Sequence, residues 1–305
     1  MSRMYRREFL RKVAAWSAAS AAVPLFDVRA AHVATRKASE LAVAKGPDYG
    51  ALVERVVAKL GGMGQFVKHG DKVVVKPNIG WDRSPEQAAN TNPEVVKALV
   101  KLALDHGAKQ VLVFDHTCDD PRRCYHDSGI RHAVESIDDT RARCEFVQMW
   151  NFVPVQIKRA KVLHEWPIYR PALEADSYIN VPIAKNHNLT RLTLGLKNTM
   201  GVCGGVRGHI HQQIAEKLCD LALVIAPKLT VIDATRILLR NGPSGGRLAD
   251  VKVLNTVLAS VDPVAADAYA TTLFGLKPQD IAPTVAAWRR GLGEIDLTRV
   301  KIMQA

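Results

Sequence analysis

Apolar positions along the chain alternate between two periods, and the change of period marks the elements. Tyr49 to Leu60 reads as an amphipathic helix closed by Gly61-Gly62, the one element expected in a leading segment at 31–70. Lys72 to Lys76 is a short β-rich run ended by Pro77. Asn92-Pro93 opens a helix to about His106 with Gly107 behind it, and Gln110 to Phe114 is a second apolar strand. Strand, helix, strand at this spacing predicts a parallel βαβ unit. Further strands are expected at Cys144 to Gln148 and, after a less regular middle, at Tyr178 to Val181. The later half continues with a helix at about His211 to Ile225, strands at Leu229 to Asp233 and Val257 to Val261, a helix from Pro263 to Phe274 and a last strand near Val300 to Met303. This predicts an α/β fold: a mostly parallel sheet with helices on both faces, one compact domain over 31–305, with a possible inserted subdomain between 118 and 175.

The first thirty residues do not join this pattern. Tyr5-Arg6-Arg7-Glu8-Phe9-Leu10-Arg11-Lys12 has two adjacent arginines with Phe and Leu at the spacing of a twin-arginine motif. Val13 to Phe26 is apolar, Ala-rich and too short to span a bilayer. Val28-Arg29-Ala30 places small residues three and one before a cut, so the mature chain is expected to begin near Ala31. Residues 1–30 are therefore expected to engage the twin-arginine translocation machinery, and the protein to work in the periplasm or otherwise outside the cytoplasm. Such export carries folded cargo, which raises the expectation of a cofactor loaded before transport.

Charge and cysteine content narrow the partners. The formal charge is +12, of which the leader holds six Lys/Arg and two Asp/Glu, leaving about +8 on the remaining 275 residues. A positive field of this size favours anionic ligands. Aromatic residues make up only 6% and do not interleave with basic ones, so nucleic acid is not expected as a partner. No later apolar run approaches the length of a membrane span. Cys118, Cys124, Cys144, Cys203 and Cys219 form no CxxC pair and no ferredoxin-like run, which argues against an iron–sulfur cluster. A Cys118–Cys124 bridge is open after export; buried free thiols fit a chain of this length better.

Polar residues just past strand ends line ligand crevices in parallel sheets. Lys76-Pro77-Asn78, Asp115-His116, Lys185-Asn186-His187, Asp233 and Asp262 all stand at such places. Each alone fits a cap or turn; five strand ends together predict a convergent polar pocket. From the segment 192–205 onward, Lys197-Asn198 precedes Gly201, Gly204, Gly205 and Gly208, which allows close backbone approach to an anion and reads equally as a plain glycine-rich turn, without the order of a phosphate-binding P-loop. These patterns nominate Lys76, Asn78, Asn198 and Gly201 for binding a ligand or cofactor, and His187, Lys185 and Lys197 for catalysis. His209 and His211, two apart and on one face of an extended backbone, are candidate transition-metal ligands with a carboxylate such as Asp233, and equally readable as a helix cap with an exposed imidazole. The cofactor itself is not readable. Asn241-Gly242-Pro243-Ser244-Gly245-Gly246 is a turn-rich loop that can cover the pocket or lie idle.

Taken in order, Lys76-Pro77-Asn78, Asn92-Pro93-Glu94-Val95-Val96, Lys185-Asn186-His187, Leu196-Lys197-Asn198-Thr199-Met200-Gly201, Gly242-Pro243-Ser244-Gly245 and Asp262-Pro263-Val264-Ala265-Ala266-Asp267 resemble the family called domain of unknown function 362, from about 70 to 275. The resemblance implies an α/β fold with a pocket and a setting in redox metabolism. Some members carry a ferredoxin-type module whose cysteine spacing is missing here. It also implies a distant similarity to nickel-pincer lactate racemases, in which Lys and His hold a cofactor and exchange a proton or hydride; that role reaches Lys185, His187 or Lys197 only by analogy of fold. The expected function is an exported enzyme acting on a small anionic substrate with a metal or redox cofactor, or alternatively a periplasmic metal or cofactor binding and maturation protein for a redox enzyme, with an inert surface scaffold as the third reading.

Overall fold

A computed structural model describes residues 39–305; the arginine pair and the whole of 1–30 lie outside the described residues. Twelve strands are present among them: β1 Glu40–Lys45, β2 Lys72–Pro77, β3 Gln110–Val113, β4 Ala142–Cys144, β5 Phe152–Gln156, β6 Glu165–Tyr169, β7 Ser177–Val181, β8 Ile183–His187, β9 Arg191–Thr193, β10 Leu229–Leu238, β11 Val251–Ser260 and β12 Lys301–Gln304. The main sheet runs β12-β1-β11-β10-β7-β2-β3-β4, with β8 added beside β10 and β9 beside β8. Pairings from β10 through β7, β2 and β3 to β4 are parallel, as is β1 with β12. The pairings of β11 with β1 and with β10, and of β8 with β9, are antiparallel. The predicted mostly parallel α/β sheet is present, with an antiparallel insertion at β11.

Period-2 alternation divides the sheet between two apolar layers. Val73, Val75, Val111, Val113, Ile179 and Val181 face one layer, formed with helices α1 Tyr49–Lys59 and α2 Pro93–Asp105. Val74, Leu112, Phe114 and Tyr178 face the other. Helix starts follow the sequence chemistry: Asp48 accepts from Ala51 N–H, and Asn92 accepts from Glu94 N–H with Pro93 in the first turn. Asp120 and Pro121 open α3 Pro121–Asp127, which is followed by α4 Ile130–Glu135 and, after β6, by the short α5 Arg170–Leu173. The segment 118–175 contributes β4 to the main sheet. It also holds a separate β5–β6 ribbon whose Val153, Val155 and Ile168 share the second apolar layer with Phe114 and Tyr178.

The sequence reading did not place β5, β6, β8 or β9, and it ended β10 at Asp233, which lies mid-strand because β10 runs on to Leu238; four further departures have a long-range or local backbone reason. β1 is an unanticipated strand: its Leu-Ala-Val-Ala run has little strand signal and is fixed by partners on both sides, β11 and β12. β4 ends at Cys144, and only Glu145 N–H continues the ladder, to Val113 O. β11 begins at Val251 because its pairing to β10 extends to Val251↔Leu238. The helix expected from His211 begins at Ile214 (α7 Ile214–Ala222), since Gln213 has φ 58, a left-handed value that stops a helix from running through it.

Candidate functional site

After β2 the chain passes through α2 to β3 and β4 on one side, whereas β7 docks on the other side of β2. The C-terminal ends of β2 and β7 thus flank a crevice at a reversal of strand order, where open α/β sheets bind ligands. Two short helical segments meet there: α6 Gly195–Asn198 and the 3-10 turn Thr199–Val202. Asp267, on α8 Pro263–Thr272, is fully buried and caps α6 by accepting from Gly195 N–H at 2.6 Å and Leu196 N–H at 3.0 Å. Burial raises its carboxyl to about 7 against those two hydrogen bonds. Asp262 in turn caps α8 through Val264 and Ala265 N–H. The Asp-Pro-Val-Ala-Ala-Asp run therefore holds Lys197 and Asn198 in place from behind.

Asn198 ties the crevice together. Its Nδ2 donates to Lys76 O at 3.1 Å and Asn180 Oδ1 at 2.8 Å, and its Oδ1 accepts from Lys76 Nζ and Asn78 Nδ2, each at 3.2 Å. Both amide protons and both lone pairs are engaged, so this side chain is a buried strut. Lys76, with no exposed side-chain area, lies 2.8 Å from Asp115 Oδ1 and donates to Pro77 O at 2.7 Å. Burial lowers its pKa and the Asp115 carboxylate opposes that shift. Gly201 is required here: a Cβ at this position would overlap Asp115 Oδ1 and Lys76 Nζ. The close approach that its glycine serves is to this ion pair. Tyr125, donating from its hydroxyl to Asp115 O at 3.0 Å and accepting from Asp115 N–H at 2.9 Å, fixes the end of β3.

Above this floor opens a cavity of about 650 Å³ lined by Lys76, Asn78, Trp81, Asp115, His116, Cys118, Lys185, His187, Lys197, Asn198, Gly201, Arg207, His211 and Pro243, among others. Lys185, on β8, donates to Ala89 O at 2.5 Å and Asn78 Oδ1 at 3.1 Å, with Trp81 beside it. No carboxylate is among its hydrogen-bonding partners, and burial lowers its pKa to about 7. Lys197 is also depressed by burial, to about 8; its Nζ lies 3.3 Å from His211 Nε2 and 3.6 Å from Met200 Sδ.

The three lining imidazoles are held in different states. His187 Nδ1 accepts from Leu189 N–H at 3.1 Å, leaving the proton on Nε2, and burial and then Lys197 push its pKa down to about 3. It stacks at 5.7 Å on His211, whose pKa is also lowered by burial and Lys197. His116 Nδ1 donates to Cys203 O at 2.7 Å, so Nε2 keeps its lone pair; burial and Arg207 keep the ring neutral. Arg207 donates to His116 O and Thr117 O, both at 2.5 Å.

The structure thus brings Lys76, Asn78, Lys185, His187, Lys197, Asn198, Gly201 and His211 to one cavity. It does not bring His209 and Asp233 there. Residues 207–211 form a 3-10 turn, with three residues per revolution, so residues two apart diverge. His209 is exposed, while Asp233 is buried, accepting from Asn92 N–H at 2.7 Å and from Thr235 N–H and Oγ1. The His209–His211–Asp233 metal set is therefore not assembled, and no cluster of three or more His, Cys, Asp or Glu suited to a metal exists among the described residues. The lining also fits a bare cation poorly: its one carboxylate, Asp115, is already paired with Lys76. The five thiols are free, Cys118 exposed at the cavity and the other four buried, so Cys118 and Cys124 are not bridged.

His116 and Asp115 were legible as strand-end polar residues without an assigned role, whereas Trp81, Cys118 and Arg207 carried no signal of their own. Arg207 sits in the glycine-rich stretch after Lys197, and a lone arginine there reads as surface. Pro243 of the turn-rich loop reaches the cavity wall, anchored by Gly242 N–H donating to Asn186 Oδ1 at 3.0 Å.

Comparison with known proteins gives the family that the motifs resemble. The family model described as Domain of unknown function (DUF362) matches residues 73–272, and the chain belongs to this family. It is 29% identical over 254 residues to a thylakoid-associated protein of Synechocystis sp., covering 79% of this chain and 74% of that one. Among solved structures it is similar to a protein from Thermotoga maritima (TM-score 0.41, 13% identity, 76% of this chain). It is similar too to the lactate racemase apoprotein from Thermoanaerobacterium thermosaccharolyticum (TM-score 0.46, 10% identity, 76% of this chain). It spans 60% and 56% of those two chains, respectively.

Proposed function

We propose that this member of the DUF362 family is an exported enzyme that binds a small anionic substrate in the β2–β7 crevice and moves a proton on it. The observation that carries this reading is the charge of the cavity: Lys197 and Arg207 line it with no carboxylate against them, since the one lining carboxylate, Asp115, is spent on Lys76. In a partly buried site, each opposite charge at about 4 Å is worth roughly 4 kcal/mol before desolvation. Lys197 and Arg207 are the anion ligands, since His211 aims the first and the carbonyls of His116 and Thr117 brace the second. His116, neutral with a free Nε2, serves as general base. His187, neutral with its proton on Nε2, serves as a hydrogen-bond donor to developing negative charge, because its Nδ1 lone pair is taken by Leu189 N–H.

Two measurements test this. Calorimetric titration with small carboxylates and phosphate should show one site that Lys197→Met weakens by about 10- to 100-fold, the loss of one charged hydrogen bond of about 1.5–3 kcal/mol. Unchanged affinity in a folded Lys197→Met protein would sink the assignment. His116→Gln should keep binding and lose turnover. Export rests on the Arg6-Arg7 motif and is tested by replacing both arginines with lysine, which should retain the protein in the cytoplasm; continued export by the twin-arginine route would contradict it.

A further inference from the structure

The two most deeply buried lysines of the site are held by different numbers of acceptors. Lys76 Nζ has three oxygens around it, donating to those of Pro77 and Asn198 and standing 2.8 Å from the Asp115 carboxylate, a counter-ion that favours the ammonium. Lys185 Nζ faces two, the carbonyl of Ala89 and Oδ1 of Asn78. Two donated hydrogen bonds are what a neutral amine can make, and the remaining tetrahedral direction is left for its lone pair. The side chain is 1% exposed to bulk water yet lines the cavity. Its charged and titratable surroundings are Lys197 and Lys76, which disfavour the ammonium, and Asp115 and Cys118, which favour it less than burial disfavours it. An amine with a directed lone pair, shielded from water and beside anion-binding cations, is arranged to attack a carbonyl carbon.

We propose that Lys185 is a nucleophile that forms an imine with the carbonyl of an anionic substrate, which makes small oxo acids the substrate class. This rests on the anion-site reading above. The Lys185 lone pair adds to the carbonyl carbon, and the carbonyl oxygen takes a proton to give a carbinolamine. Loss of one nitrogen proton and of the hydroxyl, the latter leaving as water, then yields the C=N bond. The step is a condensation with no net redox change, and the Lys197 ammonium is the acid on the cavity wall that can protonate the departing hydroxyl. The substrate carboxylate stays on Lys197 and Arg207.

The test uses the whole protein and glyoxylate, the smallest anionic aldehyde, with cyanoborohydride to reduce any imine to a carboxymethyl-amine. Peptide mapping reads where the adduct forms, and glycolate, which has no carbonyl, reads the anion site separately by calorimetry and by protection. The expected result is one adduct per chain at Lys185, formed at least tenfold faster than on surface lysines, slowed by glycolate, and rising with pH through about 7. If glycolate binds but Lys185 reacts no faster than surface lysines, or the fast adduct sits on Lys197, the imine proposal is overturned while the anion site stands. If neither glycolate nor glyoxylate binds, the anion-site reading fails and the imine with it. Mapping the unmodified sequence avoids dependence on Lys185→Met folding; where that variant folds, it should lose the fast adduct and keep glycolate binding within a few fold.

Discussion

Replacing Gly201 with alanine isolates the ion pair beneath the cavity. Gly201 lies in a 3-10 turn and is not among the residues with positive φ, so alanine meets no backbone penalty and should gain about 0.5–1 kcal/mol by restricting the unfolded chain. Against this, the new Cβ would overlap Asp115 Oδ1 and Lys76 Nζ and stand 2.5 Å from Lys76 Cε. The two charged side chains are 0% and 4% exposed, so neither can swing into water without opening the β2–β3 edge. Separating a buried pair costs roughly 3–5 kcal/mol. The net expectation is a loss of about 2–4 kcal/mol, or a fall in Tm of roughly 5–15 °C for a domain of this size. Urea unfolding and calorimetry read the loss. Gly208→Ala is the control, since its added carbon would meet nothing within 4 Å, and it should shift stability by no more than about 0.5 kcal/mol. A Gly201→Ala protein as stable as wild type would refute the argument that the glycine exists for the Lys76–Asp115 pair.

Asp267, held near pKa 7, binds a proton in the folded state that the unfolded carboxyl has released above about 4. Its contribution to stability therefore falls as pH rises from about 4 to 7, and the stability difference between wild type and Asp267→Asn should shrink across that window; a pH-independent difference would contradict it. Lys197 has the opposite sign: between about 8 and 10 the unfolded chain holds the proton and the folded chain does not, so wild type should gain stability relative to Lys197→Met as pH rises there. Arg290→Met should destabilise by about 3–5 kcal/mol in urea unfolding, because it leaves Asp220, fully buried and 2.6 Å from that guanidinium, without its counter-ion. A loss under 1 kcal/mol would show that the backbone N–H groups of Lys161, Val162 and Leu163 suffice for Asp220.

The parallel part of the sheet was legible because valine-rich runs and capped helices carry local signals, as in β2, α2 and β3. β1 was not: its strand state comes from β11 and β12, more than two hundred residues away in sequence. The collection of Lys76, Asn78, Lys185 and His187 at strand ends was readable for the same reason, since parallel strands deliver their C-terminal residues to one edge; Lys197 was readable from the glycines that follow it and enters the cavity on α6. What sequence cannot separate is an aspartate that faces a ligand from one that serves the backbone. Asp233, Asp262 and Asp267 all proved to accept backbone N–H groups, and Asp115 to hold a lysine. His209 and His211 looked paired only on an extended chain, and the tight turn at 207–211 sends them apart. Arg207 gained its place from the His116 and Thr117 carbonyls, contacts across about ninety residues that no local pattern announces.

The claim that the β2–β7 crevice is an anion site is tested most directly by locating an anion in it. Crystals grown or soaked with selenate, examined by anomalous scattering at the selenium edge, should show a peak inside the cavity within hydrogen-bonding distance of Lys197 Nζ and the Arg207 guanidinium, and that peak should vanish in Lys197→Met. Selenate found only on the outer surface, with the cavity holding water alone, would contradict the account.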